Sequence, residues 1–308
     1  MEASITLKSI AKTFDNNTLL ADLSFGVEKG TTFALIGGNG SGKSTILKLL
    51  VGIVEKDAGI AYINGKDIKN RSEETRSVTG YMSQDIDLDE DLSVIENLII
   101  SGRLHGLDSK TAKNNSIDYL DNLSIAHLAT LNPRNISYGE KRKLMFIRSI
   151  VHNPDVILLD EPTKGLDPHS RNKIWDIIDK FIPRKTILFS TQNLEEAEKY
   201  ADRIAILHNG NIKMDGTLER LIETTHGLSR YVLSFSEAPS NDFFEKIKKN
   251  PRILKPSLNG LDFEFYSREK KQFFNALNIA LNFSLDDIDI STCNLRDLFI
   301  GLTDGGLE

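Results

Sequence analysis

The stretch on which the reading turns is TTFALI (31–36), GGNGSGKST (37–45) and ILKLL (46–50). Its first six residues are a short, continuous apolar run, the pattern of a strand covered on both faces. The next nine fit G-x-x-x-x-G-K-[ST]. Gly37, Gly38, Gly40 and Gly42 let the backbone turn so that successive N–H groups converge on one point. Ile46, Leu47, Leu49 and Leu50 then fall at helical spacing, so the loop opens a helix whose positive end faces that point. Strand, glycine-rich loop and helix in this order predict a cradle for a chain of phosphates. In it Lys43 is expected to reach the β- and γ-phosphates and Ser44 to ligate Mg²⁺.

Two further apolar runs, DVILLD (155–160) and KTILFS (185–190), lie downstream. The first is followed by Ile174, Ile177, Ile178 and Phe181 at helical spacing, with Trp175 alongside. The alternation predicts an α/β fold with a mostly parallel sheet. Asp160 ends its run where Mg²⁺ chemistry wants a carboxylate, at the C-terminal edge of a strand. Glu161 follows at once, and a carboxylate there can orient and polarise an attacking water. Read alone the pair is a solvated acidic turn; read with the loop at 37–45 it is the other half of a phosphate-handling site. Two hairpins are expected at AYI-NG-KDI (61–68) and ILH-NG-NIK (206–213), since Asn-Gly between apolar residues is the strongest short hairpin signal. The span 86–152 reads as a helical insertion.

A length of 308 residues suits about two domains. Composition shifts near residue 228, which sets the expected domains at 1–227 and 228–308. Nine of the 15 phenylalanines lie between Phe235 and Phe299, so the tail has an apolar supply of its own. Its order reads β-α-β-β-α-β with a turn at Asn259-Gly260, the ferredoxin-like arrangement. An apolar share of 40% and a charged share of 27% exclude fibrous, disulfide-scaffold and wholly disordered classes. A net charge of −6 argues against a nucleic-acid partner. Cys293, the single cysteine, reads as a buried free thiol. No signal-peptide pattern and no membrane-length apolar stretch is visible, so the chain reads as cytoplasmic, with any membrane role supplied by a partner.

These motifs, in this order, resemble the ATP-binding subunits of ATP-binding-cassette (ABC) transporters. The resemblance covers about residues 4–225 strongly and the tail weakly. The loop 37–45 matches the family's Walker A, and VILLDE (156–161) its Walker B. Gln84 matches the Q-loop glutamine, ISYGE (136–140) the LSGGQ signature, and Gly165-Leu166-Asp167 the D-loop. STQNLEEAE (190–198) matches the switch segment, and Phe14 falls at the adenine-stacking aromatic. The resemblance implies a P-loop NTPase fold of ABC type: a parallel core sheet, an antiparallel β subdomain and a helical insertion, plus a small α+β C-terminal domain.

It also implies the roles. Gly37, Asn39, Gly40, Ser41, Gly42, Lys43, Ser44 and Thr45 would hold ATP, with Phe14 against adenine. Ser44, Gln84 and Asp160 would hold Mg²⁺. Glu161, Gln192 and Lys43 would carry hydrolysis. Ser137, Gly139 and Asp167 would act across a dimer interface, Ser137 and Gly139 on the γ-phosphate held by a second protomer. Read alone, Phe14 is a strand-end core aromatic, Ser137 a helix N-cap and Asp167 a turn acid.

The implied partners are a second ATPase protomer and a separate membrane permease of an exporter-type system. The stretches at 91–107, 208–222 and 294–305 resemble that branch. In the family the groove around 84–105 receives the permease's coupling helix, near Ile86, Leu88, Leu92, Val94 and Ile95. Tyr138 and Glu140 depart from the signature, and Gly38 replaces a frequent proline. Gln192 stands where the family usually has histidine; its neutral amide can donate and accept but carries no charge. An alternative is therefore an ATP-binding regulatory or assembly protein with little turnover. A DNA-repair or ribosome-acting ABC protein is disfavoured: long coiled-coil heptads are lacking and only one cassette is present.

Overall fold

A computed structural model of the chain describes residues 3–15, 17–70, 73–224, 228–239 and 241–303. The chain packs as two compact units, Met1–Asp215 and Gly216–Glu308. The division falls before the helix at Leu218–Glu223, twelve residues ahead of the composition shift. Residues 225–227, at the expected boundary, and 304–305, at the end of the tail stretch, lie outside the described residues.

The first unit opens with β1 (Ala3–Phe14), β2 (Asn17–Glu28) and β3 (Thr32–Gly37). After the loop come α1 (Lys43–Leu50), β4 (Ala58–Ile63), β5 (Lys66–Asp67), α2 (Glu73–Ser77) and β6 (Thr79–Met82). Three helices then follow without a strand: α3 (Val94–Leu104), α4 (Ser109–Asn122) and α5 (Tyr138–Ile150). The unit ends with β7 (Val156–Asp160), α6 (Pro168–Asp179), β8 (Thr186–Thr191), α7 (Leu194–Tyr200), β9 (Arg203–His208) and β10 (Asn211–Gly216).

The three apolar runs are adjacent strands. The six-stranded sheet has the order β10-β9-β3-β8-β7-β6, with β9, β3, β8, β7 and β6 paired in parallel. Every residue of β3, β7 and β8 is buried, which is why they read as unbroken apolar runs. A second sheet, β2-β1-β4-β5, is antiparallel. One core joins the two, with Leu7, Val27, Phe33, Leu47, Leu158 and Leu188 buried in it. Asn64-Gly65 and Asn209-Gly210 all have positive φ, the conformation that two-residue hairpin turns require. The parallel sheet, the antiparallel sheet and the helical insertion stand as expected.

The second unit runs α8 (Leu218–Glu223), β11 (Ser229–Phe235), α9 (Asn241–Lys248), β12 (Leu254–Asn259), β13 (Asp262–Ser267), α10 (Lys270–Ala280), β14 (Leu285–Thr292) and α11 (Leu295–Thr303). Its antiparallel sheet has the order β12-β13-β11-β14, the ferredoxin-like order. Phenylalanines fill its core: Phe235, Phe243, Phe263, Phe265 and Phe273 are buried there around Tyr231. The hairpin turn lies one residue later than expected. Asn259 pairs with Asp262, so the loop residues are Gly260 and Leu261, and Gly260 supplies the positive φ. Cys293 is buried and free, and burial pushes its thiol up to about 12.

Candidate functional site

The loop at 37–45 joins the buried end of β3 to the start of α1. Gly42 is the N-cap of α1 at φ +109, and a Cβ there would stand 2.7 Å from Leu20 Cδ2. Only glycine fits both the angle and the space. No side chain caps α1, so its first N–H groups stay open towards the loop. That is the arrangement that receives an anion. Lys43 Nζ donates to the carbonyls of Gly37 at 2.7 Å and Gly38 at 3.0 Å, folded back against its own loop. Burial lowers its pKa, and the carboxylates of Glu161 and Asp160 oppose the shift.

β7 delivers the two acids to this loop. Asp160 is fully buried; its Oδ1 accepts from Ser190 Oγ at 2.6 Å, while Oδ2 has no partner. Glu161 has φ +51, left-handed for a residue with a side chain. Its N–H donates to Ser190 O at 3.2 Å and to Ser190 Oγ at 3.1 Å. Its carboxyl is 7% exposed as a residue, and Oε1 has no partner. Burial raises its pKa, offset by Lys43, Lys164 and a hydrogen bond from the Gln192 backbone amide. Two buried carboxylate oxygens without partners, beside an uncapped helix start, mark a place built to receive charge.

A cleft of about 160 Å³ gathers most of these pieces, though Gly37 and Asp160 are not in its lining. It is lined by Leu19, Asn39 to Thr45, Gln84, Glu161 and Gln192. Gln84 arrives from the segment after β6, and Gln192 from the end of β8. Gln192 Nε2 donates to Asn39 Oδ1 at 2.6 Å, joining the switch segment to the loop. The donor set for a metal is the Ser44 hydroxyl, the Gln84 amide oxygen and the free Oδ2 of Asp160, all oxygens that suit Mg²⁺. Among the described residues no cluster of three His, Cys, Asp or Glu could hold a metal, so such an ion would rely on phosphate oxygens as well.

Phe14, Ser137, Gly139 and Asp167 do not line this cleft. Phe14 is 44% exposed at the end of β1, with Lys12 Nζ 5.0 Å from its ring centre, so it is not a core aromatic. Ser137 caps α5 in a full capping box. Its N–H and Oγ each donate to Glu140 Oε2 at 2.7 Å, and the Glu140 N–H returns to Ser137 Oγ at 3.3 Å. Asp167 caps α6 by accepting from the Ser170 N–H at 3.0 Å, and its bonds to Ser170 hold its carboxyl down near 2. The signature and D-loop segments touch each other. The Tyr138 ring lies against Gly165, where a Cβ would meet Tyr138 Cε1 at 2.7 Å.

The sequence reading missed three residues that build the site. Leu19 lines the cleft from β2, and Ser190 holds both acids. Arg142, fully buried, donates to backbone carbonyls on either side of the cleft. Its signal was a cation on the buried stripe Arg142–Met145–Phe146–Ser149 of α5. A second concavity, about 550 Å³, lies beside α3 and is lined by Ile53, Leu92, Ile100, Leu104 and the stacked rings of His105 and His152. Of the five apolar residues expected at this groove, Leu92 lines it and Val94 is buried; Ile86, Leu88 and Ile95 are not among its lining.

The sequence profile described as ABC transporter matches residues 20–164. The chain is 35% identical over 226 residues to the Nod factor export ATP-binding protein I of Burkholderia lata, covering 73% of this chain and 74% of that one. It is 35% identical over 223 residues to the protein of the same name from a Rhizobium species, covering 72% and 73%. Among solved structures, an ATP-binding subunit of an ABC transporter superposes with a TM-score of 0.68 at 30% identity, covering 72% of this chain and 93% of that one. A dimeric ATP-binding cassette in a post-hydrolysis state with ADP and phosphate shares the fold, with a TM-score of 0.65 at 22% identity over 70% of this chain and 98% of that one.

Proposed function

The chain belongs to the ATP-binding subunits of ABC transporters, whose cassette binds ATP, and from that premise we propose that two copies close head-to-tail around two ATP molecules and hydrolyse them to drive a separate membrane permease of an exporter. The observation that carries this reading is the cleft itself. It gathers the phosphate loop, Gln84, Glu161 and Gln192 in one chain, while Ser137, Gly139 and Asp167 stand outside it. A site whose last parts come from a second copy has this form.

In this mechanism the N–H groups of the loop and the start of α1 hold the phosphate chain, and Lys43 leaves the Gly37 and Gly38 carbonyls for the β- and γ-phosphates. Phe14 stacks on adenine. Ser44, Gln84 and Asp160 would hold Mg²⁺, which neutralises charge on the β- and γ-oxygens. Glu161 is aimed at the cleft by its left-handed backbone and orients the attacking water. Gln192 bridges to the loop through Asn39. Ser137 and Gly139 of the second copy complete the γ-phosphate site, with Asp167 at the interface.

The groove beside α3 supports the permease contact. It is concave and mostly apolar, and Ile53 and Leu104 stand out into solvent at its rim, as a surface awaiting a helix would. Among the described residues no helix is long and apolar enough to cross a membrane, so the membrane part of the work falls to that partner. The relatives' name, which speaks of export, supports the direction of transport.

The test is steady-state Mg-ATP hydrolysis by wild type and Glu161→Gln, with ATP binding measured in both. Turnover that collapses in the variant while binding persists is expected. Equal turnover in both would remove Glu161 from its role. ATP binding without turnover in either, even with a permease present, would favour the regulatory reading that the neutral Gln192 invites.

A further inference from the structure

We infer that Arg142 is a positioning residue that holds the Glu161 backbone and the Gln84 segment in one fixed relation, so that movement on the groove side of the cassette reaches the hydrolytic carboxylate through a single buried guanidinium. The inference rests on the hydrolytic reading of the site.

The geometry starts at Glu161. A non-glycine residue at φ +51 is strained and persists only where its neighbours hold it. On its N–H side Ser190 does so, through its carbonyl and its hydroxyl. On its carbonyl side the partner is Arg142, whose Nη2 donates to Glu161 O at 2.6 Å and to Asp160 O at 3.3 Å. The other terminal nitrogen of the same guanidinium, Nη1, donates to Ser83 O at 3.0 Å and to Gln84 O at 2.8 Å. A guanidinium is planar and rigid, so the two peptide segments cannot shift separately without losing bonds on one side.

Arg142 is 0% exposed and has no salt-bridge partner among the described residues; its charge is met by backbone carbonyls. Asp160 and Glu161 lie close enough to favour the cation electrostatically. A buried charge is costly, and an apolar side chain of similar size would fill the same volume without that cost. What such a side chain could not do is tie two loops together. The residue also stands on α5, five positions after Ser137, so the helix that carries the signature segment is tied to the same point. Beyond Gln84 the chain runs directly to Asp87 and Asp89, which line the groove beside α3. Groove, Gln84, Glu161 and α5 therefore share one junction.

The variants are Arg142→Gln, which keeps two donors but not the fork or the charge, and Arg142→Lys, which keeps the charge on a flexible point donor. Two measurements are made on the full chain: kcat and KM for Mg-ATP, and amide hydrogen exchange at 82–86 and 160–163. Because the guanidinium fixes the segment that carries Glu161, kcat should fall about 100-fold in Arg142→Gln, with Arg142→Lys between it and wild type. Exchange should quicken in both segments together, with exchange in β3, β8 and α1 unchanged. An unchanged kcat with both segments still protected would overturn the inference, and so would quickened exchange spread over the whole cassette, which is what a general packing defect produces. If wild type shows no turnover even with a permease present, the hydrolytic reading fails, and the exchange data alone then decide: joint release of the two segments supports the junction, and release of neither overturns it.

Discussion

Glu140→Gln should tighten the ATP-driven closure of two copies. In the single chain the Ser137 hydroxyl donates to Glu140 Oε2 at 2.7 Å, so the group proposed to meet a γ-phosphate is already satisfied by a carboxylate. The hydrogen bonds from Ser137 hold that carboxyl below its ordinary range, so it is charged at neutral pH. A phosphate oxygen taking over the same hydroxyl would lie a further ~2.7 Å away by ordinary hydrogen-bond lengths, which leaves the two anions ~4–5 Å apart. Coulomb repulsion at that distance is ~1 kcal/mol in a water-like medium and ~4 kcal/mol at a surface dielectric of about 20. Glu140 is half-buried at most, so the lower figure is the safer one. Two such sites in a symmetric dimer give ~2 kcal/mol, or about 30-fold in the closure constant. Glutamine serves equally well at the third position of a capping box, so the helix and the thermal midpoint should hardly change. The assay is sedimentation of the ATP-bound dimer in a Glu161→Gln background, with and without the second substitution, at low and high salt. The gain should shrink as salt rises. Equal dimer affinity in both backgrounds, with folding intact, would refute the reasoning.

Gln192→His should raise turnover about tenfold with little change in ATP affinity, because an imidazole can carry charge near Glu161 where the amide that now bonds Asn39 cannot; a barrier drop of ~1.4 kcal/mol is all this asks, and equal or lower turnover would sink it. His152 should govern part of the acid sensitivity of the fold. Burial first, and then the stacked His105, lower its pKa to about 4 in the folded chain, despite its bond to the Thr79 carbonyl; Lys185 adds to the lowering. The unfolded chain takes up that proton near pH 6.5, so the contribution is whole above 6.5 and is lost as pH falls towards 4, by up to ~3 kcal/mol. Urea midpoints at pH 7 and pH 4.5 should therefore differ less in His152→Gln than in wild type, and parallel losses in the two proteins would exclude the histidine as the cause. Glu161→Gln should stabilise the folded chain at pH 8, because the raised carboxyl pKa means that the folded state holds its proton more tightly than the unfolded one; the gain should fade as pH drops through the ordinary carboxylate range, and a melting-point difference that is the same at pH 8 and pH 4 would contradict it.

What the sequence made legible was what local chemistry decides. Asn64-Gly65 and Asn209-Gly210 turn because their positive φ values are a property of those residues in that order. The loop at 37–45 is legible because each glycine answers a steric demand a few residues away. The order of the second unit followed from its turn signals, although Gly260 took the first loop position instead of the second, since the register of β12 on β13 was not in the local pattern. What stayed hidden depends on long separations. Gln192 meets Asn39 across 153 residues, and Arg142 meets Gln84 across 58. Arg142 in particular drew no reading, because a sequence does not say that a buried face will meet carbonyls instead of methyl groups. The helix α11 was not among the expected elements, though its start is written in reciprocal bonds between Asn294 and Asp297 at 2.9 and 3.0 Å.

The same contrast bears on the proposal that this chain is half of a site. Of the loop that local reading assigned to phosphate, 37–45, the residues Asn39 to Thr45 line one cleft, and Gly37 and Gly38 are not in its lining. Ser137 and Asp167 were open to a purely structural reading, and each performs that structural task in the single chain, capping α5 and α6. A capping hydroxyl exposed at a helix start keeps an acceptor and a donor that can be re-aimed, and the N–H groups behind it point the same way. The cap therefore prepares Ser137 for an anion, and Glu140 already takes the hydrogen bond that such an anion would accept. The carboxylate keeps the helix start ordered while no phosphate is present, and its charge opposes the phosphate that replaces it. Closure on this reading is an exchange of one anion for another at the start of α5, and the affinity of the closed state is set by the difference between them.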